Sequence, residues 1–172
     1  NDRVTAQPDR ETENTSDYGW WRNGPTGSDF DHETVLQQFS ERSAKYIKEH
    51  KDDPFFLYLP LSAPHTPILP DAKNQGKSGL NEYGDFVLTV DDVIGNVLAA
   101  LKENGLEENT LIFFASDNGC APFAGTEEME KAGHYSSLNY RGYKAEIYEG
   151  GHRIPFMIKW SNQIRPNSVS NE

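Results

Sequence analysis

Thr110-Leu111-Ile112-Phe113-Phe114-Ala115-Ser116-Asp117-Asn118-Gly119 decides how the chain reads: six residues with no charge, then a polar turn. The apolar run is too short for a stable helix and rich in β-favouring side chains, so it reads as a buried strand. Two further runs look alike. Phe55-Phe56-Leu57-Tyr58-Leu59 lies between Pro54 and Pro60, and Ile154-Pro155-Phe156-Met157-Ile158-Lys159-Trp160 comes near the end.

Between the strands the period changes from two to about 3.6. From Asp31 to His50, Val35, Leu36, Phe39, Ser43, Tyr46 and Ile47 fall on one helical face, with Asp29 or Asp31 placed to cap it. From Glu82 to Asn104, Phe86, Val90, Val93, Ile94, Val97, Leu98 and Leu101 form a second stripe, and Gly105 stands where a C-terminal cap is expected. Apolar strands alternating with long helices predict an α/β fold, with a mostly parallel central sheet covered by helices on both faces.

Residues 1–30 are polar and aperiodic and read as a loop or hairpin region; residues 31–172 hold the patterned part. Trp20-Trp21 is the exception in the first stretch, since adjacent indoles favour packing on the domain or lining the rim of a site. Asn14-Thr15-Ser16 is a glycosylation triplet of low specificity. The first residue is Asn1 and the last stretch is polar, so the chain reads as an internal piece of a longer protein.

Sixteen basic against 27 acidic side chains leave a formal net charge of −11, which disfavours a nucleic-acid partner and suits hard cations. No apolar run reaches the roughly 18 residues of a membrane-spanning helix. Cys120 is the single cysteine, so no internal disulfide forms and the compartment stays open.

Ligands of open parallel sheets bind beyond the carboxyl ends of the strands, which directs attention to the residues after each run. The first run leads into Ala63-Pro64-His65-Thr66-Pro67, whose histidine sits on a stiff backbone and has acid, base and hydrogen-bonding capacity near neutral pH. After the second, Asp117 and Asn118 place a carboxylate beside an amide oxygen, a pairing that suits Ca2+ or Mg2+, with Gly119 allowing a sharp turn. Asp-Asn-Gly is equally a good turn in its own right. The third segment, Arg141 to Pro155, carries Lys144 as a cation for an anionic oxygen and Gly150-Gly151 for close backbone approach, or is a charged loop before a strand.

Taken in order, Phe55-Phe56-Leu57-Tyr58 leading into Ala63-Pro64-His65-Thr66-Pro67, then Ser116-Asp117-Asn118-Gly119, then Lys144 with Glu149-Gly150-Gly151-His152-Arg153-Ile154-Pro155, resemble the type I sulfatases, the arylsulfatase-like branch of the alkaline-phosphatase superfamily. The resemblance runs from about Trp21 to the C-terminus. It implies a partial alkaline-phosphatase-like α/β sandwich, with residues 31–172 as the central to C-terminal part of the catalytic domain. It also implies that Asp117 and Asn118 are Ca2+ ligands (Ca2+ ahead of Mg2+), that His65 contacts the sulfate ester, and that Lys144 binds a sulfate oxygen. The implied substrate is a sulfated small molecule or glycan, and known relatives are periplasmic, secreted or lysosomal.

The family nucleophile is a formylglycine made in a Cys/Ser-x-Pro/Ala-x-Arg stretch. Cys120-Ala121-Pro122-Phe123-Ala124 has the proline but lacks the arginine, so the nucleophile and the remaining metal ligands are expected outside these residues. His134 and Arg141, close before Lys144, are candidate substrate-binding residues. Two other readings stay open: a phosphomonoester or phosphodiester hydrolase of the same superfamily, and a non-catalytic module that binds sulfated glycans.

Overall fold

The computed structural model describes residues 6–13 and 21–170; Trp20 and the Asn14-Thr15-Ser16 triplet lie outside them. The order of elements is β1 (Pro8–Thr12), β2 (Gly24–Gly27), α1 (Val35–Glu49), α2 (Glu82–Glu103), β3 (Ile112–Ala115), α3 (Thr126–Lys131), α4 (Glu149–His152) and β4 (Phe156–Lys159). Both long helices form where the apolar stripes place them. Asp31 caps the single turn that leads into α1 by accepting a hydrogen bond from the Glu33 amide at 3.0 Å. Gly105 ends α2 at φ 71°, where a side chain would be strained.

The sheets correct the expected topology. β1 pairs antiparallel with β2, and β3 pairs antiparallel with β4 in the register Ile112↔Lys159 to Ala115↔Phe156. No parallel central sheet forms among the described residues. An apolar run says that a segment has two faces to cover; it does not say which way the neighbouring strand runs. Phe55–Leu59 is the clearest case. It is extended, its side chains alternate between half-buried and exposed, and Phe56 and Tyr58 are 85% and 75% exposed. No described segment supplies it with a ladder, so it is not a strand.

The chain divides into two compact units. One joins Asn1–Lys45 to Phe56–Asn96, and the other joins Tyr46–Phe55 to Val97–Glu172. The core of the first is Leu36, Ile68, Phe86 and Val93, with Phe39, Leu61, Ala63, Tyr83 and Val90 packed on it. A second face of α2 is polar and does separate work. Asp85, Thr89 and Asp92 recur at helical spacing and hold the loop at 71–78. Asp85 accepts from the amides of Gly76 (2.6 Å) and Ser78 (2.9 Å), Thr89 Oγ1 from the Asp71 amide and Asn74 Nδ2, and Asp92 from Asn74 Nδ2 at 2.7 Å.

The second unit is organised by close backbone contact. The Gly119 amide donates to Gly151 O (2.9 Å), the Gly150 amide to Arg141 O (2.8 Å), and the Lys144 amide to Cys120 O (2.9 Å). A Cβ at Gly119 would lie 1.9 Å from Gly150 O, one at Gly150 2.0 Å from Gly142 O, and one at Gly151 2.3 Å from Glu146 O. Glycine is required here because two stretches of peptide touch, not because of a turn; Gly119 is absent from the positive-φ glycines.

These contacts set stability in two ways. Burial alone would push the Asp85 carboxyl up, but hydrogen bonds from Ser78, Gly76 and Lys77 outweigh it and hold it below the usual carboxylate range. Its contribution is therefore full above the unfolded value of about 3.9 and is lost as pH falls through the lower folded value. Asp85→Asn should cost about 1–2 kcal/mol at pH 7 and flatten the acid limb of urea-unfolding curves measured from pH 7 to 2. Gly119→Ala should cost about 3 kcal/mol or more in the same assay. Gly95→Ala is its control: a Cβ there meets nothing within 4 Å in mid-α2, so the change should stabilise by about 0.5–1 kcal/mol.

Candidate functional site

β3 ends at Ala115, and the chain turns at once through Ser116, Asp117 and Asn118. Ser116 Oγ donates to Asn118 O at 3.0 Å and closes the turn. Asn118 Nδ2 donates to Gly119 O at 3.0 Å, which fixes the amide plane and leaves its Oδ1 without a partner among the described residues. The Asp117 carboxylate is exposed and likewise makes no hydrogen bond or ion pair among them. Successive residues of the turn thus carry a carboxylate and an amide oxygen, donors of the hard type that Ca2+ or Mg2+ takes. Two such oxygens are fewer than the roughly six to eight of a Ca2+ shell. Among the described residues no group of three His, Cys, Asp or Glu side chains is gathered to hold a metal.

Lys144 is brought to this turn by the backbone. Its amide bonds to Cys120 O, two residues beyond Asn118, while the Gly119 amide reaches Gly151 O on the far side of the same loop. The side chain is half-buried, and its ammonium has no carboxylate within ion-pair distance among the described residues. Ala145, the next residue, is held at φ 74°, a left-handed conformation costing a residue with a Cβ about 1–2 kcal/mol. Such strain persists where surrounding contacts over-determine the backbone, here the bonds from the Lys144 amide and from the Glu146 amide to Tyr143 O.

The neighbouring side chains brace this loop. Tyr143 donates its hydroxyl to Glu130 of α3; that bond, with burial, raises the phenol above its ordinary range and keeps it a neutral donor. Arg141 lies over the Tyr148 ring at 3.7 Å, and Arg153 over the Tyr140 ring at 4.7 Å while pairing with Glu149 at 2.8 Å. His134 follows α3, its amide bonded to Met129 O. No hydrogen bond or ring contact joins His134 to Arg141 among the described residues. The bracing pair Tyr143–Glu130 is invisible in the sequence because thirteen residues separate its members and no motif carries it.

His65 belongs to the other unit, and the apolar run that leads into it forms no strand, so no sheet edge among the described residues carries it. It is exposed, between the cis bonds Ala63-Pro64 and Thr66-Pro67. Its Nδ1 lies 3.0 Å from Thr66 O and 3.1 Å from Thr66 Oγ1, so the ring is oriented by its own neighbour. With Nδ1 engaged, Nε2 is the nitrogen at the far edge of the ring.

Known proteins resemble this chain over most of its length. The sulfatase family model aligns with residues 2–172. An N-acetylgalactosamine-6-O-sulfatase of Bacteroides thetaiotaomicron is 34% identical over 150 residues, covering 86% of this chain and 29% of its own length. A solved structure concerned with the metabolism of multiple glycosaminoglycans by Bacteroides thetaiotaomicron superposes with a TM-score of 0.76 at 33% identity, over 84% of this chain and 31% of that one. Ps i-CgsB, crystallised in complex with k-i-k-neocarrahexaose, gives 0.62 at 29% identity over 74% and 28%. The chain therefore spans less than a third of the length of these relatives. With the match running over nearly every residue, and with identity and fold agreeing, the chain belongs to the sulfatase family.

Proposed function

We propose that these residues form part of the catalytic site of a sulfuric-ester hydrolase acting on a sulfated small molecule or glycan. The carrying observation is the backbone clasp that sets the unpaired Asp117 carboxylate and Asn118 amide oxygen on the turn next to the loop of Lys144. Asp117 and Asn118 would hold Ca2+, which when bound supplies a concentrated positive charge for a sulfate oxygen.

Lys144 binds a sulfate oxygen as a point charge. Its lack of a carboxylate neighbour among the described residues leaves that charge for the substrate. His65, its ring oriented by Thr66, contacts the sulfate ester and stabilises the charge that develops as the S–O bond breaks. The net charge of −11 does not oppose this, because a cation and a lysine at the site dominate the local field. His134 and Arg141 contribute to the choice of substrate. The formylglycine nucleophile comes from outside these residues, since no Cys/Ser-x-Pro/Ala-x-Arg stretch occurs among them.

Three measurements test this function. The 172-residue chain assayed alone should release no sulfate from 4-nitrophenyl sulfate or from sulfated oligosaccharides; substantial release would refute an external nucleophile. In a longer protein that joins these residues to a formylglycine segment, Lys144→Ala should lower kcat/KM about 10²–10³-fold. Asp117→Ala should abolish Ca2+ binding in isothermal titration. Unchanged kinetics and unchanged Ca2+ binding would reject the assignment.

A further inference from the structure

Outside the proposed catalytic residues, the first unit carries a cavity that no role above uses. It is open, has a volume of about 510 Å3, and is lined by residues of the β1–β2 pair, of the stretch leading into β2 and of the segment after it. Trp21 stacks on His32, with ring centroids 4.5 Å apart and planes 15° from parallel, and Phe30 meets the same imidazole edge-on at 4.8 Å. Arg10 donates to the Phe30 carbonyl and anchors this aromatic group to β1. Thr12 and Thr26 hydroxyls bond each other at 3.2 Å across the strands.

Three features of this cavity ask for a ligand. The Trp21 indole is half-buried in the cavity lining and offers a flat apolar surface. Arg22 is exposed on the cavity wall and has no hydrogen bond or ion pair among the described residues. None of the described lining residues is acidic, although the chain holds 27 Asp and Glu. An aromatic surface beside an uncompensated guanidinium matches an anionic sugar. The ring face takes C–H groups, and the guanidinium two sulfate oxygens at once.

We propose that this cavity is a subsite for a sulfated sugar unit of an oligosaccharide, separate from the sulfate under attack, with Trp21 as the platform and Arg22 as the sulfate contact. The assignment of a sulfated glycan rests on the function proposed above; the cavity's preference for an anionic sugar rests on its own residues.

Isothermal titration of the 172-residue chain tests it with three kinds of probe: a tetrasaccharide of 6-sulfated N-acetylgalactosamine, a sulfated neocarrahexaose, and the desulfated form of each. At least one sulfated sugar should bind, with its desulfated form about tenfold weaker, the loss of one charge-assisted contact. Arg22→Ala should bring the sulfated sugar down to the desulfated level, and Arg22→Lys should restore part of the difference. Trp21→Ala should weaken both forms, with circular dichroism checking that the fold is retained; the Arg22 variants, changed only at an exposed position, decide the matter even if Trp21→Ala unfolds. Absence of sugar binding, or sulfated-sugar affinity unchanged in Arg22→Ala, would overturn the proposal. Failure of the hydrolase function alone would look different: no sulfate release by the longer protein, yet Arg22-dependent binding intact.

Discussion

Everything in the second unit depends on peptide groups meeting with no side chain between them. At Gly119, Gly150 and Gly151 a single methyl group would sit 1.9–2.3 Å from a carbonyl oxygen. No rotamer change relieves such an overlap, because the opposing atom is backbone. The consequence is chemical as well as steric. Close approach lets amides of one segment reach carbonyls of another, and those bonds set Lys144 beside the Asp117-Asn118 turn across some 25 residues of sequence. A hydrophobic contact would hold the segments together less specifically, since dispersion is non-directional while an N–H···O bond fixes register.

The first unit reaches order by another route. α2 carries two faces: Phe86, Val90 and Val93 go to the core, while Asp85, Thr89 and Asp92 collect the amides and side-chain nitrogen of the 71–78 loop. Asp92 is held below its ordinary carboxylate range chiefly by the hydrogen bond from Asn74, then by Lys73. Loop backbone is thereby satisfied on the helix instead of in a sheet, and Ile68, just beyond the His65 segment, is drawn into the core. His65 itself stays exposed, with its ring oriented by Thr66 and its neighbourhood anchored by Ile68.

How much of this is legible in the sequence depends on how local each cause is. The stripes of α1 and α2 are local, and the helices stand where those stripes lie. β3 and β4 are legible as strands for the same reason. Their antiparallel pairing is not, because direction depends on a partner some 40 residues away; nor is the exposure of Phe113 and Phe156, each about 60% open where an apolar run predicts burial on both faces. Phe55–Leu59 has strand composition and extended shape without a ladder, so composition does not distinguish the two outcomes. Gly150-Gly151 reads from sequence as a point of close approach, and the structure agrees. Gly119 reads as a turn because Asp-Asn-Gly has that local meaning, whereas the clash that excludes a side chain comes from residue 150. Trp21 is visible as an anomaly in a polar stretch; its stacking on His32, eleven residues on, is not.

The positive charge of this acidic chain is unevenly paired. Lys73, Lys131, Arg153 and Lys159 each sit 2.8–3.0 Å from a carboxylate on the surface. Exposed pairs of this kind contribute about 0–1 kcal/mol and leave little field for a ligand. Lys144 and Arg22 have no carboxylate neighbour among the described residues, so no surface pair cancels their charge. A net charge of −11 repels an approaching anion, but salt limits the reach of that field to about 8 Å under physiological conditions. Closer in, the nearest groups decide. An anion that reaches Lys144 or Arg22 therefore meets local positive charge there, whatever the sign of the chain as a whole.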